Sequence, residues 1–236
     1  MRVLVIGGGG LVGGLILPKL TEKHVVTVFD LRPPELEVPY QQGDVTDYRA
    51  VRKAMRDQQA VVFLAMGPKD FPDRPESAIA QFDVAVTGLY TVLRAAGDEN
   101  VRHAVYASSM SVYATDVKNR ERFPDESVPA DAVDSYGLAK RLGEDVCRAA
   151  CANGMSVISL RLCFPTPPED WDQPGDDPSS VIATSAADTA RAFLLALERQ
   201  GHGYEAFAIS GDNQGRLVNI ERARTVLGWQ PFDPTG

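Results

Sequence analysis

Short extended segments alternate with longer amphipathic ones along most of the chain. Six of the short segments have the length and composition of β-strands, and they cover residues 2–6, 24–29, 38–42, 60–65, 103–107 and 155–160. Several of the segments between them carry apolar residues at helical spacing, notably residues 11–21, 47–57, 76–97 and 135–152. Strands that alternate with helices in this way predict an α/β fold built on a doubly wound parallel sheet. The ligand site of such a sheet lies beyond the carboxyl ends of its strands.

The first predicted strand runs directly into a glycine-rich turn that opens the first helix. Gly7, Gly10 and Gly13 have the spacing G-x-x-G-x-x-G. Glycines at these points let backbone N–H groups approach a pyrophosphate at the helix N-terminus, because no Cβ holds the phosphate away. The second strand ends at Asp30, about where a dinucleotide site places an acid on the ribose 2′-hydroxyl. The two features together predict a dinucleotide site of Rossmann type.

Two segments depart from the regular pattern. Pro18 falls inside the first predicted helix, where it removes a hydrogen bond at a cost of about 3 kcal/mol, so we expect a kink or a short helix. Residues 164–180 contain five prolines, five carboxylates and no basic residue, which indicates a loop or lid. An acidic loop of this kind would repel a pyrophosphate, which favours a small neutral substrate over a nucleotide sugar.

The remainder of the chain predicts a small second unit. A helix is expected over residues 186–199, a short strand over 206–209 and a helix over 219–227. We therefore predict an NAD-binding Rossmann domain in residues 1–160. A small substrate-binding lobe, interleaved with that domain, is predicted in residues 161–236.

Composition narrows the possible partners. The 236 residues carry a net charge of −8 with lysines and arginines scattered, so no basic patch for nucleic acid or an anionic membrane is expected. No apolar run approaches the roughly 20 residues of a membrane helix, and the chain begins with a core strand, which together predict a cytoplasmic protein. Cys147, Cys151 and Cys163 form no disulfide pattern, and the absence of a nearby histidine favours packing over metal binding at the first two.

Tyr136 and Lys140 stand four residues apart, which places both on one face of the predicted helix 135–152. An isolated pair of this kind would most simply be an exposed tyrosine near a lysine. Here the pair follows the fifth strand of a predicted nucleotide-binding sheet, and Ser108 and Ser109 stand where that strand ends. The combination favours a chemical role for the pair over a surface role.

In these features the sequence resembles the extended short-chain dehydrogenases/reductases, specifically their NAD-dependent epimerase/dehydratase family. The matching motifs follow one another along nearly the whole chain: the glycine turn, Asp30, Gly43-Asp44-Val45, Phe63-Leu64-Ala65, residues 108–113, Tyr136-x-x-x-Lys140, Leu160-Arg161 and residues 227–231. Each motif is weak alone, and their combination and order are specific.

The resemblance implies roles for individual residues. Tyr136 would be the acid/base on a substrate oxygen, Ser109 would hydrogen-bond the same oxygen, and Lys140 would bind the nicotinamide ribose and lower the pKa of the tyrosine. That lowering matters because a phenol with a pKa near 10 is a poor base at neutral pH. The cofactor would be NAD, held by Tyr136, Lys140 and residues of four loops: Gly7, Gly10, Leu11, Val12 and Gly13; Asp30, Leu31 and Arg32; Asp44 and Val45; Leu64, Ala65 and Met66. Asp30 disfavours NADP because it would repel a 2′-phosphate, whereas Arg32 would attract one.

Two places depart from the family's pattern. Ala85 stands three residues before Gly88, where many members carry an asparagine, so this chain lacks that side chain. Residues 109–113 and the turn Pro165-Thr166-Pro167 look most like uronate dehydrogenases. Those enzymes hold the substrate carboxylate with an arginine in the following loop, and this loop has none.

The resemblance implies an NAD-dependent oxidoreductase that moves a hydride to or from a hydroxyl-bearing carbon of a sugar or polyol. One alternative is an epimerase or dehydratase that returns the hydride and shows no net redox change. A second is a regulator that binds NAD(P) without turnover. A homodimer is also implied, in which the helices 76–97 and 135–152 of two subunits pack together.

Overall fold

Seven parallel strands form the central sheet of the computed structural model, which describes residues 1–67, 74–114, 125–171, 181–201 and 203–232. The strands of this sheet are β1 (Arg2–Ile6), β2 (Val25–Asp30), β3 (Tyr40–Gln42), β4 (Ala60–Phe63), β5 (His103–Ser109), β6 (Ser156–Leu162) and β9 (Tyr204–Ile209). Their order across the sheet is β3-β2-β1-β4-β5-β6-β9. The chain thus winds outward from β1 in both directions, which confirms the predicted doubly wound Rossmann-type sheet.

Helices cover both faces of the sheet. One face is packed by α1 (Leu11–Thr21) and α7 (Ala186–Glu198), which share a core with the strands through residues such as Ile16, Leu20 and Phe193. The other face is packed by α2 (Tyr48–Met55), α4 (Leu89–Asp98) and α5 (Ser135–Ala152). Strands buried on both faces explain the nearly continuous apolar runs in the sequence.

The long helix expected over residues 76–97 is not regular. It consists of α3 (Pro75–Phe82), a π-helical segment Asp83–Gly88 and α4. Ala85, which replaces the family's asparagine, is buried within the π-helical segment. π-helical segments frequently mark functional sites, and this one faces a loop of the site described below.

The expectation for Pro18 was wrong in one respect, because α1 does not end early and runs through the proline to Thr21. Pro18 cannot donate to the carbonyl of Gly14 one turn earlier. Both residues are exposed, so water can solvate that carbonyl. The start of α2 is capped, since the Asp47 carboxylate accepts from the backbone N–H groups of Arg49 and Ala50.

The C-terminal part of the chain adds to the main sheet. β9 pairs with β6, and β7 (Pro165–Thr166) and β8 (Thr184–Ser185) form a separate two-stranded ladder beyond the end of β6. A short helix α6 (Pro168–Trp171) and a π-helical turn Ala223–Leu227 complete the described elements of this part. Most of the predicted acidic loop, residues 172–180, lies outside the described residues. The predicted boundary at residue 160 stays a prediction.

Candidate active site

The predicted cofactor residues lie on four loops at the carboxyl edge of the sheet. The glycine turn follows β1, Asp30 ends β2, Asp44 and Val45 follow β3, and Leu64 to Met66 follow β4. Backbone hydrogen bonds join neighbouring strand ends and loops: the Gly7 N–H donates to the Phe29 carbonyl at 3.0 Å, the Gly43 N–H to the Asp30 carbonyl at 3.0 Å and the Leu64 N–H to the Ile6 carbonyl at 2.8 Å. The structure therefore brings the four predicted groups together.

The glycine turn is built from approaches that no side chain would permit. Gly7 has φ +82°, and a Cβ on it would lie 2.5 Å from the Ala65 nitrogen. A Cβ on Gly13 would lie 2.1 Å from the Gly8 carbonyl oxygen, so the first turn of α1 packs against the loop backbone. These contacts fix the path of the turn and explain two of the three glycines of the motif.

The turn also fits a phosphate group. Gly10 is the N-cap of α1, no side chain caps this end of the helix, and no acidic residue lies in the first turn. The first N–H groups of a helix need acceptors, and the helix dipole favours an anion there. Gly10 itself leaves open space, because a Cβ on it would approach only the Gly7 carbonyl, at 3.5 Å. This end of α1 is suited to a pyrophosphate.

Asp30 is held by the loops on either side of it. One carboxylate oxygen accepts from the Gly9 N–H at 2.8 Å and the other accepts from the Arg32 N–H at 3.1 Å. Each carboxylate oxygen keeps a further lone pair for a ribose hydroxyl. Leu31 and Arg32 are exposed beside it. Gly9, which orients Asp30, was missed by the sequence reasoning because it is not one of the three motif glycines.

Two further glycines, neither of them on the predicted list of site residues, bring the interrupted helix against the cofactor loops. A Cβ on Gly67 would lie 2.4 Å from the Gln81 Cα, and a Cβ on Gly88 would lie 2.5 Å from the Val45 Cγ2. The helix thus packs directly behind the predicted adenine loop and behind the end of β4. These are contacts between residues distant in the sequence, so no local pattern could reveal them.

Ser109, Tyr136 and Lys140 meet next to these loops. Ser109 ends β5, its hydroxyl accepts from the Ser111 N–H at 3.1 Å, and its interaction with the Tyr136 phenol acts to lower the pKa of that tyrosine. Lys140 is buried, its ammonium donates to the Ala107 carbonyl at 2.7 Å, and it lies 5.9 Å from the centre of the Tyr136 ring. The structure therefore brings the predicted triad together.

The start of α5 is fixed by its cap and by a glycine. Asp134 is the N-cap and accepts from the Gly137 N–H at 2.9 Å. A Cβ on Gly137 would lie 2.2 Å from the Ser111 carbonyl oxygen, so the helix touches the short 3₁₀ turn Met110–Val112 that follows Ser109. This contact sets the distance between the serine and the tyrosine.

The protein's own groups do not lower the pKa of Tyr136. Burial raises that pKa above its usual value of 10.0, and the hydrogen bond with Ser109 opposes the shift without overcoming it. The expected lowering by Lys140 is therefore not found in the chain alone. A second positive charge near the phenol, such as an oxidised nicotinamide, is needed to make it an effective base at neutral pH.

The described residues show no group of three or more histidine, cysteine or acidic side chains placed to hold a metal ion. The three cysteines are free thiols, and Cys147 and Cys163 are buried. In the same part of the chain, no helix is long and apolar enough to cross a membrane.

The doubly wound sheet, the uncapped glycine turn, the acid at the end of β2 and the Ser-Tyr-Lys group define a dinucleotide-binding oxidoreductase of the extended short-chain type. The model of the NAD dependent epimerase/dehydratase family matches residues 3–191, and the chain belongs to that family. Its members are NAD-dependent dehydrogenases and epimerases, so the predicted family, enzyme class and cofactor are confirmed.

Individual relatives include both kinds of enzyme. The chain is 27% identical to an NAD-dependent glucose-6-phosphate dehydrogenase from Haloferax volcanii, over 98% of this chain and 93% of that protein. It is 29% identical to a UDP-glucose 4-epimerase from Lactobacillus helveticus over 68% of this chain, which covers 51% of that epimerase. The chain therefore spans about half the length of that epimerase.

Solved structures show the same fold. A uronate dehydrogenase from Agrobacterium tumefaciens superimposes with a TM-score of 0.82 at 22% identity, covering 99% of this chain and 85% of that one. MoeE5 in complex with UDP-glucuronic acid and NAD superimposes with a TM-score of 0.80 at 19% identity. The match covers 98% of this chain and 94% of that one.

Proposed function

We propose that the protein is an NAD-dependent dehydrogenase that oxidises a hydroxyl-bearing carbon of a sugar or a similar polyol. The observation that carries this proposal is the group formed by Ser109, Tyr136 and Lys140 at the carboxyl edge of the sheet, beside the glycine turn. Tyrosine and serine hydroxyls at one point can bind and deprotonate one substrate hydroxyl.

Each residue has a role that follows from its contacts. In the oxidative direction Tyr136 takes the proton of the substrate hydroxyl, and Ser109 holds the same oxygen by a hydrogen bond. Lys140 supplies a fixed positive charge beside the phenol and a donor for a ribose hydroxyl. Bound NAD supplies the hydride acceptor.

Other residues hold the cofactor. The N-terminus of α1 takes the pyrophosphate through Gly10, Leu11 and Val12, and Asp30 takes the adenosine ribose. Asp44 and Val45 border the adenine, and Leu64, Ala65 and Met66 lie along the cofactor. Preference for NAD over NADP follows from the Asp30 carboxylate, which accepts hydrogen bonds and repels phosphate.

Net dehydrogenation is favoured over epimerisation because residues 109–113 and the turn Pro165-Thr166-Pro167 look most like uronate dehydrogenases.

A panel of substrates tests the proposal. Neutral sugars, sugar phosphates, sugar acids and polyols are mixed with the protein and NAD, and NADH absorbance is followed together with product analysis. We expect one NADH per product molecule. Product without lasting NADH would establish the epimerase or dehydratase reaction. Tight NAD binding with no turnover of any substrate would overturn the enzymatic proposal in favour of a sensor.

We also propose a cytoplasmic homodimer. Free thiols suit a reducing compartment.

The dimer proposal is supported by Ile79 and Tyr90, which are 62% and 60% exposed on the interrupted helix, and by a groove of about 330 Å³ between α4 and α5. Light scattering at micromolar concentration should give twice the mass of a single chain. Tyr90→Glu should reduce the measured mass to that of one chain. Val25→Glu, at a 65% exposed position away from this groove, is the matched control. A wild-type protein of single-chain mass would contradict the dimer.

A further inference from the structure

A buried ion pair lies behind the proposed active site. Glu144 is on α5, one helical turn after Lys140, and Arg161 is on the neighbouring strand β6. The guanidinium donates to both carboxylate oxygens, Nε to Oε1 at 2.8 Å and Nη2 to Oε2 at 2.7 Å. The two side chains are 0% and 2% exposed, so the pair is held in the interior. Such pairs are costly to bury and are often replaceable by apolar residues, so stability alone is a weak explanation for this one.

The pair is connected to the segments that carry the proposed catalytic groups. The Ser108 hydroxyl donates to Glu144 Oε1 at 2.8 Å, and Ser108 directly precedes Ser109. On the other side, Arg161 Nη1 donates to the Tyr113 hydroxyl at 2.6 Å. One network therefore joins α5, the end of β5 and the loop that follows it, the elements whose spacing sets the position of Ser109 relative to Tyr136.

The pair also determines the charge behind Lys140. Lys140 and Glu144 are both buried and stand four residues apart on one helix, so an unpaired Glu144 carboxylate would attract the ammonium. Because Arg161 takes both carboxylate oxygens, Lys140 instead donates to the Ala107 carbonyl beside the site. The half-exposed Arg148 also pairs with Glu144, since its Nη2 lies 3.4 Å from Oε2 of that carboxylate.

Resting on the function proposed above, we propose that Glu144 and Arg161 are positioning residues that keep the charge behind the active site neutral. The charged groups that then act on Tyr136 are Lys140, Asp134 and the cofactor. Among the described residues, the other titratable groups near Glu144 are Tyr106, Tyr113, Cys147 and Tyr204, from β5, the loop after it, α5 and β9. Burial raises the pKa of each, so they stay neutral. In the described part of the chain, the groups that face Tyr136 are Tyr106, Ser109, Asp134 and Lys140.

The proposal predicts shifts of opposite sign. Glu144→Gln keeps the shape and leaves Arg161 as an unbalanced positive charge, which should lower the pKa of Tyr136. Arg161→Gln leaves Glu144 with only the half-exposed Arg148 as an ion-pair partner, at 3.4 Å, so the negative charge behind the site increases and should raise the pKa of Tyr136. Eight residues separate Glu144 from Tyr136, about 12 Å along the helix. At an effective dielectric constant of about 20, a unit charge at that distance shifts a pKa by about one unit. The double variant should return close to the wild-type value.

The Tyr136 pKa can be measured without turnover. Phenolate absorbance is titrated in the NAD complex of each variant, and the same titration in a Tyr136→Phe background is subtracted. The pH dependence of kcat on the substrate found by the panel is the second measurement. Glu205→Gln is the matched control, because it breaks part-buried ion pairs with Arg199 at 2.7 Å and Arg222 at 3.3 Å near the start of β9, at the amino edge of the sheet. It should leave the Tyr136 pKa unchanged.

The outcomes separate a charge-setting role from a merely structural one. Opposite shifts in the two single variants, cancelled in the double variant, support the proposal. Folded single variants that bind NAD and show no shift, or shifts of the same sign, overturn it. If one single variant does not fold, the sign of the shift in the other single variant decides, and the charge-conserving Arg161→Lys must titrate within about 0.3 unit of wild type. Because the absorbance titration needs no substrate, failure of the dehydrogenase proposal would be seen separately, in the panel.

Discussion

Replacing Gly13 by alanine should weaken NAD binding far more than the same replacement at Gly14. The two glycines are neighbours in the first turn of α1, so the substitution, the helix and the sequence context are matched. They differ in what a Cβ would meet: on Gly13 it would lie 2.1 Å from the Gly8 carbonyl oxygen, and on Gly14 it would meet nothing within 4 Å.

The size of the effect follows from these distances. Ordinary contact begins at 3.4 Å, so the Gly8 backbone and the helix would have to separate by about 1.3 Å. Overpacking of this kind typically costs about 1–3 kcal/mol. If the displaced turn no longer presents its N–H groups to the pyrophosphate, the NAD Kd should rise about 5- to 150-fold. Gly14→Ala should instead stabilise the exposed helix by up to about 1 kcal/mol, because alanine favours a helix over glycine.

Calorimetric titration with NAD and thermal unfolding measure the two quantities. For a chain of this size 1 kcal/mol corresponds to about 2–4 °C in Tm, so Gly13→Ala should melt several degrees lower and Gly14→Ala slightly higher. We expect the NAD affinity of Gly14→Ala to stay within about twofold of wild type. A Gly13→Ala protein that binds NAD as tightly as wild type would show that the turn does not hold the cofactor.

Three further predictions address the chemistry, the cofactor and the pH dependence of stability. Tyr136→Phe should abolish turnover and leave NAD binding nearly intact, since only the proton-transfer group is lost, and more than a few per cent residual activity would contradict its role. NAD should bind more tightly than NADP in calorimetric titrations of both, and the reverse order would show that Arg32 outweighs Asp30. Burial lowers the pKa of His103, so its stabilising contribution is complete above the unfolded pKa of about 6.5 and is lost as pH falls towards the lower folded value. The free energy of unfolding, measured with urea at pH 7.5 and 5.5, should fall by up to about 1.4 kcal/mol per pH unit because of His103. His103→Gln should reduce that fall, and the part of the fall that comes from His24, whose pKa burial also lowers, should remain. An unchanged loss in His103→Gln would contradict the assignment.

Elements defined by local chemistry were predicted well. The helix predicted over residues 135–152 coincides with α5, because Asp134 caps its start and apolar residues line one face. The strands predicted at β1, β2 and β4 to β6 agree to within two residues at each end. Caps and apolar runs act over a few residues, so the sequence pattern is sufficient to locate them.

Features that depend on distant contacts were not predictable. The π-helical segment Asp83–Gly88 does not change the apolar stripe of its helix, because one extra residue per turn over a short stretch leaves the pattern readable as an ordinary helix. The contact of Gly88 with Val45 and the ion pair of Glu144 with Arg161 join residues 43 and 17 positions apart. Arg161 was noted in a family motif, and only the structure shows which carboxylate it meets.

The described contacts divide the site into two parts that different substitutions should affect independently. The cofactor part consists of backbone-to-backbone approaches at Gly7, Gly9 and Gly13, where added atoms displace the turn without changing any charge. The proton-transfer part depends on charges held along α5, where exchanging Glu144 for glutamine changes charge with almost no change in shape. Substitutions in the glycine turn should therefore change the NAD Kd and leave the Tyr136 pKa seen in the pH dependence of kcat unchanged. Charge changes behind Lys140 should shift that pKa more than they change the NAD Kd. This independence follows from the kind of change that each substitution makes, because a displaced backbone adds no charge, whereas exchanging a charge behind Lys140 leaves the shape of the glycine turn as it is.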